Sequence, residues 1–356
     1  MVQQAQRIDE AKLNQLLGQV VTDFGATISN ALVVIGDRLG LYQAMADGEP
    51  VTAESLAERT GAAEKYLRPW LVNQASVGYL DYDPTTGRYR LSPEATLLFA
   101  DSASPANVIG GFQLMASVVK TEARLYEIYR TGAGLPWGEY DPGLFEGTEK
   151  FFRPGYRANL VQSWLPALDG VVDKLERGAT IADVGCGYGA STIILAEAFP
   201  TSRYFGFDNH AASIQVARDR AIEAGVTDRV IFETASAADY PGEQFDLIAF
   251  FDCFHDLGDP NRAAQWARQA LATDGTVMLV EPMAGQKVED NFNVVGRIFS
   301  AASASICTPN AVATGGQGLG TISTDDEIRA VLNAAGFSRV RRATETPFNR
   351  VFEARI

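Results

Sequence analysis

Apolar residues near the start of the chain recur at three- and four-residue spacing. Leu13, Leu16, Leu17, Val20, Val21, Phe24 and Ile28 are followed by Leu32, Ile35, Leu39 and Tyr42, and that period predicts helix over 13–45. A short helix comes next, with Thr52 placed to cap it and Glu54 and Ser55 in its first turn. After Gly61 a third helix carries Tyr66, Leu67, Trp70, Leu71 and Val72, and Pro69 inside it is expected to bend it. Over 79–91 the period changes to two on either side of Pro84-Thr85-Thr86-Gly87, which reads as strand, turn and strand.

Three helices and a β-wing are the pattern of a winged-helix domain, placed here at 1–105. Residues 106–170 are helical again, broken at 131–147 by a loop rich in glycine and aromatics, and read as a helical cap. Most of the cap's aromatics are assigned to its core. Phe112, Met115, Tyr156 and Trp164 are set aside as candidates for an apolar substrate pocket. From 171 onward short apolar runs alternate with helical patterns, the order of a parallel sheet. Strands are expected to end at Val184 and Phe207 and to cover 230–233, 245–251 and 276–280. Residues 281–322 then form a long connection for an α/β fold. It holds a helix at 291–303 and a flexible glycine-rich run at 315–320, and reads as a lid over an acceptor site. A helix at 324–335 and two alternating runs, 338–344 and 349–356, close the chain.

Composition narrows the class. A chain of 356 residues, 46% apolar and 21% charged, suggests two globular domains. No apolar run is expected to reach the roughly 18 residues a membrane span needs. The polar N-terminus, 1–15, shows no secretory signal. Three cysteines, Cys186, Cys253 and Cys307, match neither a disulfide framework nor a zinc spacing, and two histidines exclude a histidine-rich metal site. A reduced, cytoplasmic protein without a metal is expected. The net charge of −14 disfavours nucleic acid, although Lys65 and Arg68 sit where a winged helix would read DNA. Glu58, Glu64, Asp81 and Asp83 offset them.

Candidate chemistry centres on 179–192, ATIADVGCGYGAST, where a buried strand turns through Gly185, Gly187 and Gly189 into a helix. Glycines let the backbone approach a ligand, and the free N–H groups of the helix start face it. The spacing alone fits a dinucleotide fingerprint as well. Asp183, two residues before the first glycine, is placed to meet a cationic group, and Asp208, at the end of the next strand, is placed for ribose hydroxyls.

With the paired C-terminal runs, these features resemble class I S-adenosylmethionine-dependent methyltransferases over 171–356. The resemblance implies a doubly wound, mostly parallel seven-stranded Rossmann-like α/β sheet after the helical winged-helix domain. S-adenosyl-L-methionine is the implied cofactor and S-adenosyl-L-homocysteine its product. Asp183, Gly185, Cys186, Gly187 and Gly189 would hold the methionine half, and Asp208 the ribose. Asn209, Ser236 and Ala237 would flank the adenine, with Phe251 and Asp252 on the methionine side.

The run at 253–260, CFHDLGDP, is similar to the CHDWSD element of plant O-methyltransferases, with Leu257 in place of the tryptophan. That similarity puts a general base on His255, oriented by Asp256 or Glu281. A phenol titrates near about 10 and an imidazole near about 6.5, so the histidine suits removal of a hydroxyl proton. Small-molecule O-methyltransferases with such an N-terminal module imply a homodimer acting on a small aromatic or apolar acceptor. N-, S- or C-methylation would use the same cofactor site. The alternatives are a winged-helix regulator with a metabolite-sensing second domain and, further off, a nicotinamide oxidoreductase. Metal-dependent catechol-type transfer is disfavoured, since that family lacks the N-terminal domain.

Overall fold

The computed structural model describes residues 8–242 and 244–356. The start of the polar N-terminus, 1–7, lies outside the described residues. The chain forms two compact units, one through Ala116 and one from Ser117.

In the first unit α1 (Glu10–Arg38) starts at Asp9, whose carboxylate accepts the Lys12 N–H at 3.1 Å. Its C-terminal half is anchored. Val33 is buried, the Trp70 indole donates to the Leu32 carbonyl at 2.9 Å, and a Cβ on Gly36 would come within 2.6 Å of that ring. Its N-terminal half is not, for Leu16, Phe24 and Ile28 are 60%, 67% and 71% exposed. Judged by mean hydropathy, α1 is long and apolar enough to cross a membrane. Its apolar residues are not contiguous, because Gln19, Thr22 and Asp23 interrupt them. Thr52 and Ser55 form a capping box at α2 (Ala53–Thr60), and Gly61, at φ 73°, ends it. Helix α3 (Glu64–Ser76) continues through Pro69. Strands β1 (Asp81–Asp83) and β2 (Arg88–Arg90) pair antiparallel, and Val51 makes an isolated antiparallel bridge to Tyr89. After them come α4 (Pro93–Phe99) and α5 (Ile109–Lys120), within which the unit boundary falls.

The second unit opens with α6 (Glu122–Thr131) and α7 (Pro142–Asn159). The start of α7 lies inside the expected loop 131–147. Asp141 caps it by accepting the Gly143 N–H at 3.0 Å, and Pro142 fits the first turn, where its missing N–H costs nothing. Next come α8 (Val171–Arg177), β3 (Thr180–Val184), α9 (Ala190–Ala198), β4 (Arg203–Asp208), α10 (Ala211–Glu223), β5 (Val230–Thr234), β6 (Phe245–Phe251), α11 (Pro260–Ala270) and β7 (Leu271–Pro282). The insertion contributes α12 (Val294–Ala302) and α13 (Thr308–Ala313), before α14 (Asp325–Ala334), β8 (Arg339–Glu345) and β9 (Asn349–Arg355).

The seven strands lie in the order β5-β4-β3-β6-β7-β9-β8. The first five are mutually parallel, and β9 runs antiparallel to both β7 and β8. Two buried apolar layers sandwich the sheet, one around Leu195, Tyr204 and Met278, the other around Phe207, Phe250 and Phe352. Strand order reverses between β3 and β6, so the loops leaving those two strands open a crevice at their carboxyl ends.

Candidate active site

At the end of β3 the chain turns through Gly185, Gly187 and Gly189 at φ 76°, 53° and 76°. A Cβ on Gly185 would lie 2.5 Å from the Cys253 sulfur, and one on Gly189 2.5 Å from the Phe232 ring. Packing therefore demands glycine at both, besides the backbone conformation. The Gly187 N–H donates to Asp208 Oδ2 at 2.9 Å, and the His210 N–H donates to Oδ1 at 2.8 Å. Asp208 thereby joins the ends of β3 and β4. Burial raises its pKa, and the two N–H groups oppose the rise.

Asp183 is fully buried. Its Oδ2 accepts the Ser191 and Thr192 hydroxyls, each at 2.6 Å, and Oδ1 has no hydrogen-bond donor among the described residues. Desolvation pushes this carboxyl up to about 6 against those hydroxyls.

The segment leaving β6 forms the facing wall. Asp252 sits at φ 50°, a strained conformation for a residue with a Cβ. It is held there by its N–H donating to the Val280 carbonyl at 2.7 Å. Its carboxylate accepts the Tyr156 hydroxyl at 2.7 Å and the Asn349 amide at 2.8 Å. Burial lifts both Asp252 and Asp256 to about 7.

His255 follows a different course from the one expected of a base open to the cleft. It is 4% exposed, its Nδ1 lies 2.8 Å from Glu281 Oε2, and its Nε2 lies 3.4 Å from the sulfur of Cys307 in the insertion. Burial alone pulls this imidazole down, but the Glu281 carboxylate and Cys307 hold it well above its ordinary value. The run 315–320, expected to be flexible, is packed down over this turn. A Cβ on Gly316 would stand 1.7 Å from the Gly258 carbonyl, and the Leu319 and Gly320 N–H groups donate to the His255 carbonyl at 2.9 and 2.8 Å.

The cleft thus brings together most of the sequence-selected residues. Gly185, Cys186, Gly187, Asp208 and Asn209 line one side, and Ala237, Phe251, Asp252 and Asp256 continue the wall. Asp183 lies behind Ser191, while Gly189, Ser236, His255 and Glu281 also stand back from the cavity surface. Of the substrate-pocket candidates, Tyr156 lines the cleft. Trp164 is fully buried with its ring 5.9 Å from Tyr156. Phe112 belongs to the first unit, where its ring packs 6.1 Å from Tyr79 and 6.2 Å from Phe99, and Met115 is half-buried in the same helix. Sequence reasoning missed Phe145, Thr148, Glu149 and Phe152, which α7 presents at helical spacing, and Asn310 from the insertion. Asn310 stitches two loops by accepting the Trp137 N–H at 3.0 Å and donating to the Asp256 carbonyl at 3.3 Å.

An adenosyl sulfonium compound fits these residues. The buried Asp183 oxygen without a donor suits an ammonium, and the oxygens of Asp208 each keep a lone pair for a ribose hydroxyl. Five buried or half-buried carboxylates, those of Asp183, Asp208, Asp252, Asp256 and Glu281, favour a cationic guest.

Comparison with known proteins agrees. Residues 175–336 match the family described as a methyltransferase domain, and residues 27–100 match the Rv2258c-like winged HTH domain. The 27-O-demethylrifamycin SV methyltransferase of Amycolatopsis mediterranei is 32% identical over 107 residues, which is 30% of this chain and 39% of that one. Matches of this kind span between 23% and 40% of the length of the first curated relatives. Among solved structures, human N-acetylserotonin methyltransferase in complex with SAM superposes with a TM-score of 0.71 at 16% identity, covering 99% of each chain. The mitomycin 7-O-methyltransferase MmcR gives 0.68 at 20% identity, covering 98% of this chain and 100% of that one. These two likenesses concern the fold. Residues 175–336 are thus similar to a methyltransferase domain and residues 27–100 to an Rv2258c-like winged HTH domain.

Proposed function

We propose that this protein transfers a methyl group from S-adenosylmethionine to a hydroxyl of a small aromatic or apolar acceptor. The observation that carries the reading is the cradle at the switch point, where Asp208 clasps the glycine turn beside the buried, half-satisfied Asp183. The cofactor supplies an electrophilic methyl on a sulfonium. The protein's part is to hold it, to align the acceptor and to take a proton. In this reading Gly185, Cys186, Gly187, Gly189 and Asp183 hold the amino-acid half, and Asp208 holds the ribose. Asn209, Ser236 and Ala237 bracket the adenine, while Phe251 and Asp252 close the methionine side. Phe145, Phe152 and Tyr156 support an apolar acceptor, because they line the same cleft.

We assign the base to His255 with Glu281 as its positioning residue, on the 2.8 Å contact between them. Because Glu281 and Cys307 raise the ring's pKa, the imidazole must first give up its own proton and Cys307 must leave Nε2 before the acceptor's proton can arrive, so movement of the 281–322 lid belongs to the cycle. His255→Ala is expected to lower turnover by roughly 10²–10⁴-fold while cofactor affinity stays nearly intact; full activity would reject the assignment.

The division of labour follows the sequence reading, with 1–105 for dimerisation, 106–170 as cap and 171–356 for catalysis. The exposed apolar row of α1 supports a homodimer. Arg68 pairs with Glu64, and the Lys65 ammonium lies 4.9 Å from the centre of the Tyr66 ring, which together with the acidic balance argues against DNA as partner. The test is calorimetry with S-adenosylhomocysteine and with NAD, followed by a methyl-uptake screen of phenols, thiols and amines. Binding of the dinucleotide alone would overturn the reading.

A further inference from the structure

The contact between His255 and Cys307 is part of a larger arrangement. One ring nitrogen of His255, Cys307 Sγ and a carboxylate oxygen of Asp256 all lie within 4.8 Å of one another, and the nitrogen beside Cys307 is Nε2. These are three different donor types, and Asp256 and Cys307 lie 51 positions apart in the chain, so no local spacing announces them. In a tetrahedral zinc site, Zn–N of about 2.0–2.1 Å and Zn–S of about 2.3 Å put nitrogen and sulfur about 3.5 Å apart. The observed Nε2–Sγ separation is 3.4 Å. Nδ1 of the same ring is held at 2.8 Å by the fully buried Glu281, whose other oxygen accepts the Phe254 N–H at 3.1 Å. A carboxylate on the far nitrogen is the outer contact that fixes the ring of metal-bound histidines. Asp256 lines the cleft, on the side open to a guest.

We propose that His255, Asp256 and Cys307 form a site for a thiophilic divalent cation, zinc above all, with the fourth position turned to the cleft. Thiolate and imidazole donors select zinc over magnesium or calcium. On binding, Cys307 releases its thiol proton and the His255 imidazolium releases its Nε2 proton, both to solvent, and the freed lone pairs go to the ion. The ion would also tie the insertion, through Cys307, to the turn that follows β6. It would take the lone pair that the proposed base needs, so metal occupancy and proton transfer at His255 exclude each other. That last consequence rests on the methyl-transfer reading; binding of the ion does not.

The test uses the full-length chain without an affinity tag, stripped with chelator and titrated with Co(II). One equivalent is expected to bind with a near-ultraviolet thiolate-to-cobalt charge-transfer band and intense visible bands of tetrahedral cobalt, all bleached by Zn(II). Cys307→Ser should abolish the charge-transfer band. Glu281→Gln, which keeps the side-chain shape, should weaken Zn(II) binding by about 10–100-fold. Absence of stoichiometric uptake, or a charge-transfer band that survives in Cys307→Ser, would overturn the proposal. If that variant fails to fold, the decision passes to Asp256→Asn, where unchanged Zn(II) affinity would overturn it. Failure of methyl transfer alone would leave these readouts unmoved, and so tells the two readings apart.

Discussion

At the scale of single residues, the cleft concentrates negative charge where water is scarce, and each carboxylate meets that cost differently. Asp208 takes two backbone N–H groups. Asp252 takes a phenol and an amide, and Asp183 takes two hydroxyls with one oxygen to spare. Asp208→Ala removes the clasp on Gly187 as well as the ribose acceptor. The expected loss in S-adenosylhomocysteine affinity is about 1.5–3 kcal/mol by calorimetry, and unchanged affinity would exclude Asp208 from the site. Asp183 makes a pH prediction. Its carboxyl is raised from 3.8 to about 6, so between those values the folded chain keeps a proton the unfolded chain has lost. Stability from this group is full below the unfolded value and falls as pH rises through about 6. An ammonium on Oδ1 favours the ionised form. Cofactor affinity should therefore rise with pH through about 6, with proton release on binding below that value. Asp183→Asn should flatten the pH profile, and a profile unchanged in the variant would remove Asp183 from the amino-acid subsite.

At the scale of elements, what was legible in the sequence was whatever acts locally. The glycine turn, Asp208 at the end of β4, the Thr52 cap and the closing hairpin are set by neighbours within a few residues, so spacing alone revealed them. The placement of α7 was not legible, because Thr148 and Glu149 reach the cleft only through packing of that helix beside the sheet. The glycine run 315–320 was misread for the opposite reason. Glycines at 315–320 suggest freedom when read in sequence, whereas in the fold they permit contact, with Gly316 pressed on Gly258 and Gly318 3.1 Å, at its would-be Cβ, from the His255 carbonyl. A Cβ at 316 has nowhere to go, since the atom it meets is backbone. Gly316→Val is expected to lift this run from the turn and lower stability by about 1–3 kcal/mol in thermal or denaturant melts. It should also speed alkylation of the buried Cys307 relative to the unaltered chain. Unchanged alkylation and stability would show that the run is already free in solution.

At the scale of the whole molecule, the first half of α1 presents an apolar row left exposed among the described residues. Leu13, Leu16, Leu17, Val21, Phe24 and Ile28 are each more than half exposed, on a helix whose second half is held by Trp70 and Gly36. Isolated apolar side chains on a surface are ordinary, but a row of six along one helix is a binding face. Burying each of these side chains contributes about 1.5–3 kcal/mol, so the row suffices to hold two copies together. The same helix satisfies the length and mean hydropathy of a membrane span, which makes the two outcomes separable by experiment. If α1 pairs with another copy, light scattering on the purified chain without detergent should give twice the 38.4 kDa of one chain. The triple substitution Leu16→Glu, Phe24→Glu and Ile28→Glu should then halve that mass while leaving S-adenosylhomocysteine binding in the second unit intact. A chain that needs detergent to stay in solution, and floats with lipid vesicles until the three glutamates are introduced, would instead put α1 against a bilayer. A monomer indifferent to both the substitutions and the vesicles would end the dimer reading and leave the apolar row to a different protein.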